Sequence, residues 1–133
     1  MELVLLVVLL ALVEYIVFQA LVGRARAKYG VHAPATTGHP DFERVNRVHQ
    51  NTLESLIVFI PAVLTFGCYL SAHWAAGLGV VFIVGRAIYA VGYLRAAEKR
   101  GPGAGITGLT NIALVIGAIV GVVRALLSAT GVS

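Results

Sequence analysis

Charge is scarce in this chain. Only 12% of its 133 residues are Asp, Glu, Lys or Arg, against 59% that are hydrophobic, and mean hydropathy is +0.89. A water-soluble domain of this length cannot enclose that much apolar surface in one core, so a soluble fold is excluded. Cysteine is scarcer still. Cys68 stands alone, which rules out an internal disulfide, and its expected role is that of a small buried apolar residue. Four scattered histidines show no zinc-ligand spacing, so no metal site is expected. Internal repeats and low-complexity tracts are absent as well.

What the chain has instead is apolar runs of membrane length. Leu3 to Gly23, Leu53 to Leu70, Trp74 to Leu94 and Ile106 to Leu127 each approach the ~20 residues that cross a bilayer core. The first run lacks a basic leading region and is long for a signal peptide, so it reads as a retained helix. The predicted architecture is an all-α integral membrane protein: one four-transmembrane-helix bundle over residues 1–133, with helices at roughly 3–24, 41–70, 74–100 and 104–129. Gly30, Pro34, Gly38 and Pro40 punctuate the first connection, Ser71 and His73 a tight second one, and Gly101-Pro102-Gly103 the third. Pro61 falls inside the second span, where a bundle tolerates a bent helix without a break.

Basic residues near membrane ends are retained on the cytoplasmic side. Arg24, Arg26, Lys28, Arg44 and Arg47 surround the first connection and Arg95, Lys99 and Arg100 the third, whereas the second has none. Both termini are therefore expected away from the cytoplasm, in the inner membrane for a bacterial chain. The same rule accounts for the net charge of +4, and no nucleic-acid partner is called for.

The informative stretch is Asp41 to Pro61, in which five charged residues lead directly into an apolar helix. At ~100° per residue, Arg47, Asn51 and Glu54 fall within about 60° of one another, whereas His49 lies about 160° from Arg47. One face thus forms a polar stripe entering the bilayer, and His49 addresses a different neighbour, which favours an oligomer. The third span carries a second stripe, Arg86, Tyr89, Tyr93 and Arg100, at intervals of three, four and seven. Taken singly, such residues are more often belt tyrosines and snorkelling arginines than ligands. Two arginine-bearing stripes converging on one membrane side instead suggest a positive concavity for a small anion. A structural ion pair of Arg47 with Glu54, or of Arg44 with a neighbouring helix end, is the plainer alternative. Glu14, alone in the first span, is expected to face the bundle and find a basic partner on another helix. Arg124 reads as an interfacial or snorkelling residue.

These residues resemble a known family, the membrane-associated proteins in eicosanoid and glutathione metabolism (MAPEG), over nearly the whole chain. The most specific pieces are TTG-x-P-[DE]-FERV-x-R at Thr36 to Arg47, the N-x-x-E of Asn51 and Glu54, and R-x-x-Y-x-x-G-Y at Arg86 to Tyr93 with a basic end at Arg100. The resemblance implies a homotrimer with active sites between adjacent subunits. Each site would hold glutathione as cosubstrate, with no covalent cofactor and no metal, while a hydrophobic electrophile arrives from the bilayer lipid. Residue by residue, Arg26 is similar to a glutathione-binding arginine reaching across the interface. Arg47, Asn51 and Glu54 resemble second-helix contacts, with Glu54 on the amine. Tyr89 and Tyr93 resemble tyrosines that hydrogen-bond the tripeptide, and Arg100 the arginine that activates the thiol.

Departures narrow the expectation. His49 stands where Gln is frequent and still offers a hydrogen bond, in a neighbour's site. Ser55 and Ala27 replace an aromatic and a second arginine of the leukotriene synthase branch. Gly101 follows Arg100 where the prostaglandin isomerase branch has Ser. A general glutathione transferase, with glutathione-dependent peroxidase activity as an extension, fits what remains. The alternatives are a non-catalytic lipid-binding or scaffold protein of the same family, which would not need this polar set, and a small transporter, which would need paired discontinuous helices.

Overall fold

The computed structural model describes residues 1–131, the side chains of residues 97 and 98 excepted; the last two residues of the expected domain lie outside the described residues. Four helices run up and down: α1 (Glu2–Tyr29), α2 (Pro40–Tyr69), α3 (Ala72–Arg95) and α4 (Gly101–Ala129), with a single 3-10 turn, Ala97–Arg100, before α4. All four are long and apolar enough to cross a membrane.

Each boundary has a local cause. α1 runs five residues beyond its expected end at 24, through the basic Arg26 and Lys28, and stops where Gly30 adopts a left-handed conformation (φ 68°). His39 caps α2 by accepting the Asp41 N–H on Nδ1 at 3.1 Å, and Pro40 opens the first turn, where its missing N–H costs nothing. Ser71 caps α3 through its hydroxyl, which accepts from the Trp74 N–H at 3.2 Å. α2 continues unbroken through Pro61.

The third connection departs from expectation. α3 ends at Arg95 instead of reaching 100, because Ala96 turns to extended backbone (φ −161°, ψ 137°). Gly101-Pro102-Gly103, expected to be the gap, is the first turn of α4. Proline is at home there for the same reason as Pro40. Gly103 has a packing role: a Cβ on it would collide with the Tyr89 backbone, so α4 crosses α3 in close contact beside that tyrosine.

The main core joins all four helices through residues such as Val4, Phe59, Phe82 and Leu114, with the Phe59 and Phe82 rings stacked at 3.9 Å. The outward faces stay apolar, including Leu9 and Ile16 of α1 and Leu109 and Ile116 of α4, as lipid contact requires. Cys68 is exposed, correcting its expected burial. It sits in the last turn of α2, beyond the buried Phe66.

Candidate active site

The α2 stripe is held against α3 by an arginine in the interior. Arg86 is 1% exposed and donates to the Thr52 hydroxyl from Nε (3.2 Å) and Nη2 (2.9 Å), and to Ser55 from Nη1 (3.5 Å). Its guanidinium carbon lies 4.3 Å from the centre of the Tyr89 ring. Asn111 of α4 adds a bond from Nδ2 to the Ser55 carbonyl at 3.3 Å. Three helices are thereby tied together inside the bundle.

Above that clamp is a cavity of about 260 Å³. α2 contributes Arg47, Asn51 and Glu54, α3 contributes Tyr89 and Tyr93, and the 3-10 turn contributes Arg100. Tyr89 and Tyr93 are buried with their rings stacked at 5.6 Å, and the Arg100 guanidinium lies 5.8 Å over the Tyr93 ring. Six of the eight expected site residues therefore line one polar, cationic concavity. Arg47 and Glu54 both line it without forming an ion pair, and Arg44 pairs with Asp41 of its own first turn at 3.9 Å. The structural ion-pair alternative is thus corrected for both arginines.

The other two expected residues are elsewhere in the chain. Arg26 donates from Nη1 to the Ala35 carbonyl at 2.8 Å and lies 4.9 Å over the Phe42 ring, tying down the first connection. His49 stacks on Tyr15 of α1 at 4.7 Å, and both its ring nitrogens are buried without a hydrogen-bond partner. Two wall residues were not anticipated. Gln50 lines the cavity beside Asn51, and Ala104 closes it from α4. Arg86 was recognised as part of a stripe, but its place behind the wall, and not in it, needed the partners Thr52 and Ser55.

Two further cavities adjoin this one. A polar cavity of about 470 Å³ shares Arg47 and Tyr93 with it and extends past Thr36, Thr37 and Arg44. An apolar groove, also about 470 Å³, begins at Val58, one helical turn below Glu54 on the same face of α2, and runs between Ala62 and Thr65 of α2 and Val115 and Ile119 of α4. This groove and the Arg47–Arg100 cavity share no wall residue, but Glu54 and Val58 set them one turn apart on α2.

Fold and cavity together define an all-α membrane-spanning protein with a cationic pocket at one end of its bundle. Residues 4–120 match the model of the MAPEG family, and the chain belongs to that family. An uncharacterized protein of Synechocystis sp. is 50% identical over 117 residues, covering 88% of this chain and 85% of the relative. Human microsomal glutathione S-transferase 2 is 42% identical, covering 77% and 70%. Leukotriene C4 synthase of Cavia porcellus is 37% identical, covering 71% and 63%.

Proposed function

We propose that the chain is a membrane glutathione transferase that joins the glutathione thiolate to hydrophobic electrophiles. The observation that carries the reading is the convergence of Arg47, Asn51, Glu54, Tyr89, Tyr93 and Arg100 on one cavity. Relatives named as glutathione S-transferases support it. Glutathione carries two carboxylates, one ammonium and one thiol, and this wall answers all but one carboxylate, which is left for Arg26 of a neighbouring subunit. Arg47 takes a carboxylate, Glu54 the ammonium, Asn51 and the tyrosine hydroxyls the peptide groups, and Arg100 the sulfur. The cavity of about 260 Å³ lies below the ~300–1,000 Å³ usual for small-molecule sites, and the polar cavity it adjoins at Arg47 and Tyr93 supplies the missing room.

The thiolate is the nucleophile, and an ordinary thiol has a pKa of about 8.5. Lowering that by about two units takes ~2.7 kcal/mol of preferential thiolate stabilisation, within reach of one charge-assisted hydrogen bond from Arg100. The sulfur then attacks the electrophilic carbon, a carbon–sulfur bond forms, and the leaving group departs with the bonding electron pair. The apolar α2–α4 groove that begins one turn from Glu54 would hold an apolar electrophile arriving from the bilayer. Peroxide reduction by the same thiolate is an extension of this chemistry.

The assembly we propose is a homotrimer with sites between subunits. Arg26 and His49 lie outside the cavity of their own chain, which is the observation that favours sites completed by a neighbour. Basic residues around the first and third connections support an orientation with the cavity toward the cytoplasm and both termini away from it. The deciding measurement is turnover of an activated aryl halide with glutathione by purified protein in detergent. Saturable conjugation is expected. Glutathione binding without turnover of aryl halide, epoxide or hydroperoxide would favour the lipid-binding or scaffold alternative.

A further inference from the structure

The end of the bundle opposite Arg100 holds a second built concavity. Tyr69 closes α2 there and Ala129 closes α4, and between them lies a cavity of about 440 Å³ lined by Tyr69, Leu70, Gly121, Arg124, Leu127 and Ser128. Gly121 makes it possible. A Cβ at that position would stand 2.8 Å from the Tyr69 carbonyl oxygen, so α4 presses directly onto the end of α2 and brings Arg124 beside it one turn later. Ser128 follows Arg124 at i+4 and shares its face.

Among the described residues Arg124 is isolated in charge. Of ten basic residues, eight border the connections at the other end and Arg86 lies inside the bundle. The acid at the Arg124 end, Glu2, is fully exposed and faces the N-terminal amine at 3.4 Å. Among the described residues Arg124 has no ion-pair partner. It sits five residues inside the end of α4, about 7.5 Å below it, a depth from which a long side chain reaches the lipid headgroup region. A guanidinium binds two oxygens of a phosphate at once, and the Tyr69 and Ser128 hydroxyls offer two more donors. Leu70 and Leu127 supply apolar walls where glycerol and acyl carbons would lie.

We propose that this cavity binds the phosphodiester of a membrane phospholipid in the leaflet opposite the Arg47–Arg100 cavity, with Arg124 as the principal contact. The site stands independently of the glutathione reading. Its test uses delipidated protein in detergent and three probes at matched concentration: dioleoylphosphatidylglycerol, dioleoylglycerol and inorganic phosphate. The readouts are retained mass by native mass spectrometry and thermal unfolding. Wild-type protein is expected to retain the phospholipid and gain thermal stability from it alone. Arg124→Gln, with unchanged helical circular dichroism, is expected to lose affinity about tenfold or more. Equal retention by Arg124→Gln overturns the proposal. Equal stabilisation by dioleoylglycerol would reduce the site to an acyl groove, and equal stabilisation by inorganic phosphate would make it a water-borne anion site; either result also overturns it. If Arg124→Gln does not fold, the double variant Tyr69→Phe, Ser128→Ala decides. Weakened retention supports the site, and undiminished retention overturns it.

Discussion

Arg86 brings a permanent positive charge into the middle of an apolar bundle, and hydrogen bonds from all three of its nitrogens offset that cost. Thr52, itself 0% exposed, accepts two of them. Thr52→Val keeps the shape and removes the acceptor, leaving two buried N–H groups unpaired, and should cost about 1–3 kcal/mol in detergent thermal unfolding. Arg86→Met in the same background should recover part of that loss, because no donor then remains to satisfy. Additive losses would count against the clamp.

Glu14 shows the limit of sequence reasoning at this scale. Its carboxylate was expected to pair with a basic residue, yet Oε1 is buried without a hydrogen bond, and Arg86, the cation acting on it, spends its donors on Thr52 and Ser55. Which acceptor an arginine prefers depends on where the helices cross, and residue spacing carries no such information. Within one helix spacing was enough: the 100° arithmetic separated Arg47, Asn51 and Glu54 from His49, and the structure places them on different sides of α2. The catalytic prediction also belongs to this scale. Arg100 is exposed, and its guanidinium lies over the Tyr93 ring at 5.8 Å, so Arg100→Ala should leave folding and glutathione binding nearly intact while the ultraviolet thiolate absorbance on adding glutathione disappears. A mutant with the wild-type absorbance would remove Arg100 as thiol activator.

Helix interiors were legible from hydropathy, and helix ends much less so. α1 outran its expected end because Arg26 and Lys28 are good helix formers whose charges suit a helix C-terminus, and only the left-handed Gly30 stops it. At the third connection, Gly and Pro mark either a gap or a helix start, and the choice was made by packing: Gly103 lies against the Tyr89 backbone. That contact sets the distance between α3 and α4, and with it the position of the 3-10 turn that carries Arg100. Gly103→Ala should therefore lower the unfolding temperature and weaken glutathione binding together. Gly105→Ala is the control two residues further on. A Cβ there meets nothing within 4 Å, so the change should be neutral, or stabilising by up to about 1 kcal/mol through helix propensity. If both variants bind glutathione as the wild type does, the α3–α4 contact does not shape the site.

For the molecule as a whole, the four spans could be read from composition, whereas the assembly has to be tested between chains. Arg26 is held by Ala35 and Phe42, away from the cavity of its own chain. If it serves the neighbour's site, damage to Arg26 and damage to Arg100 need not fall on the same active centre. A chain carrying Arg26→Gln retains a good Arg100 wall, and a chain carrying Arg100→Ala retains a good Arg26 for its neighbour. Each variant alone should be nearly inactive in conjugation. Co-expressed in equal amounts as mixed trimers, they should regain about a quarter of wild-type turnover, because random assembly pairs an intact Arg100 with a neighbour's intact Arg26 at one interface in four. Mixing the separately purified variants without subunit exchange gives the baseline. Recovery no greater than that baseline would place Arg26 in the site of its own chain, or outside the reaction altogether, and the intersubunit arrangement would fall with it.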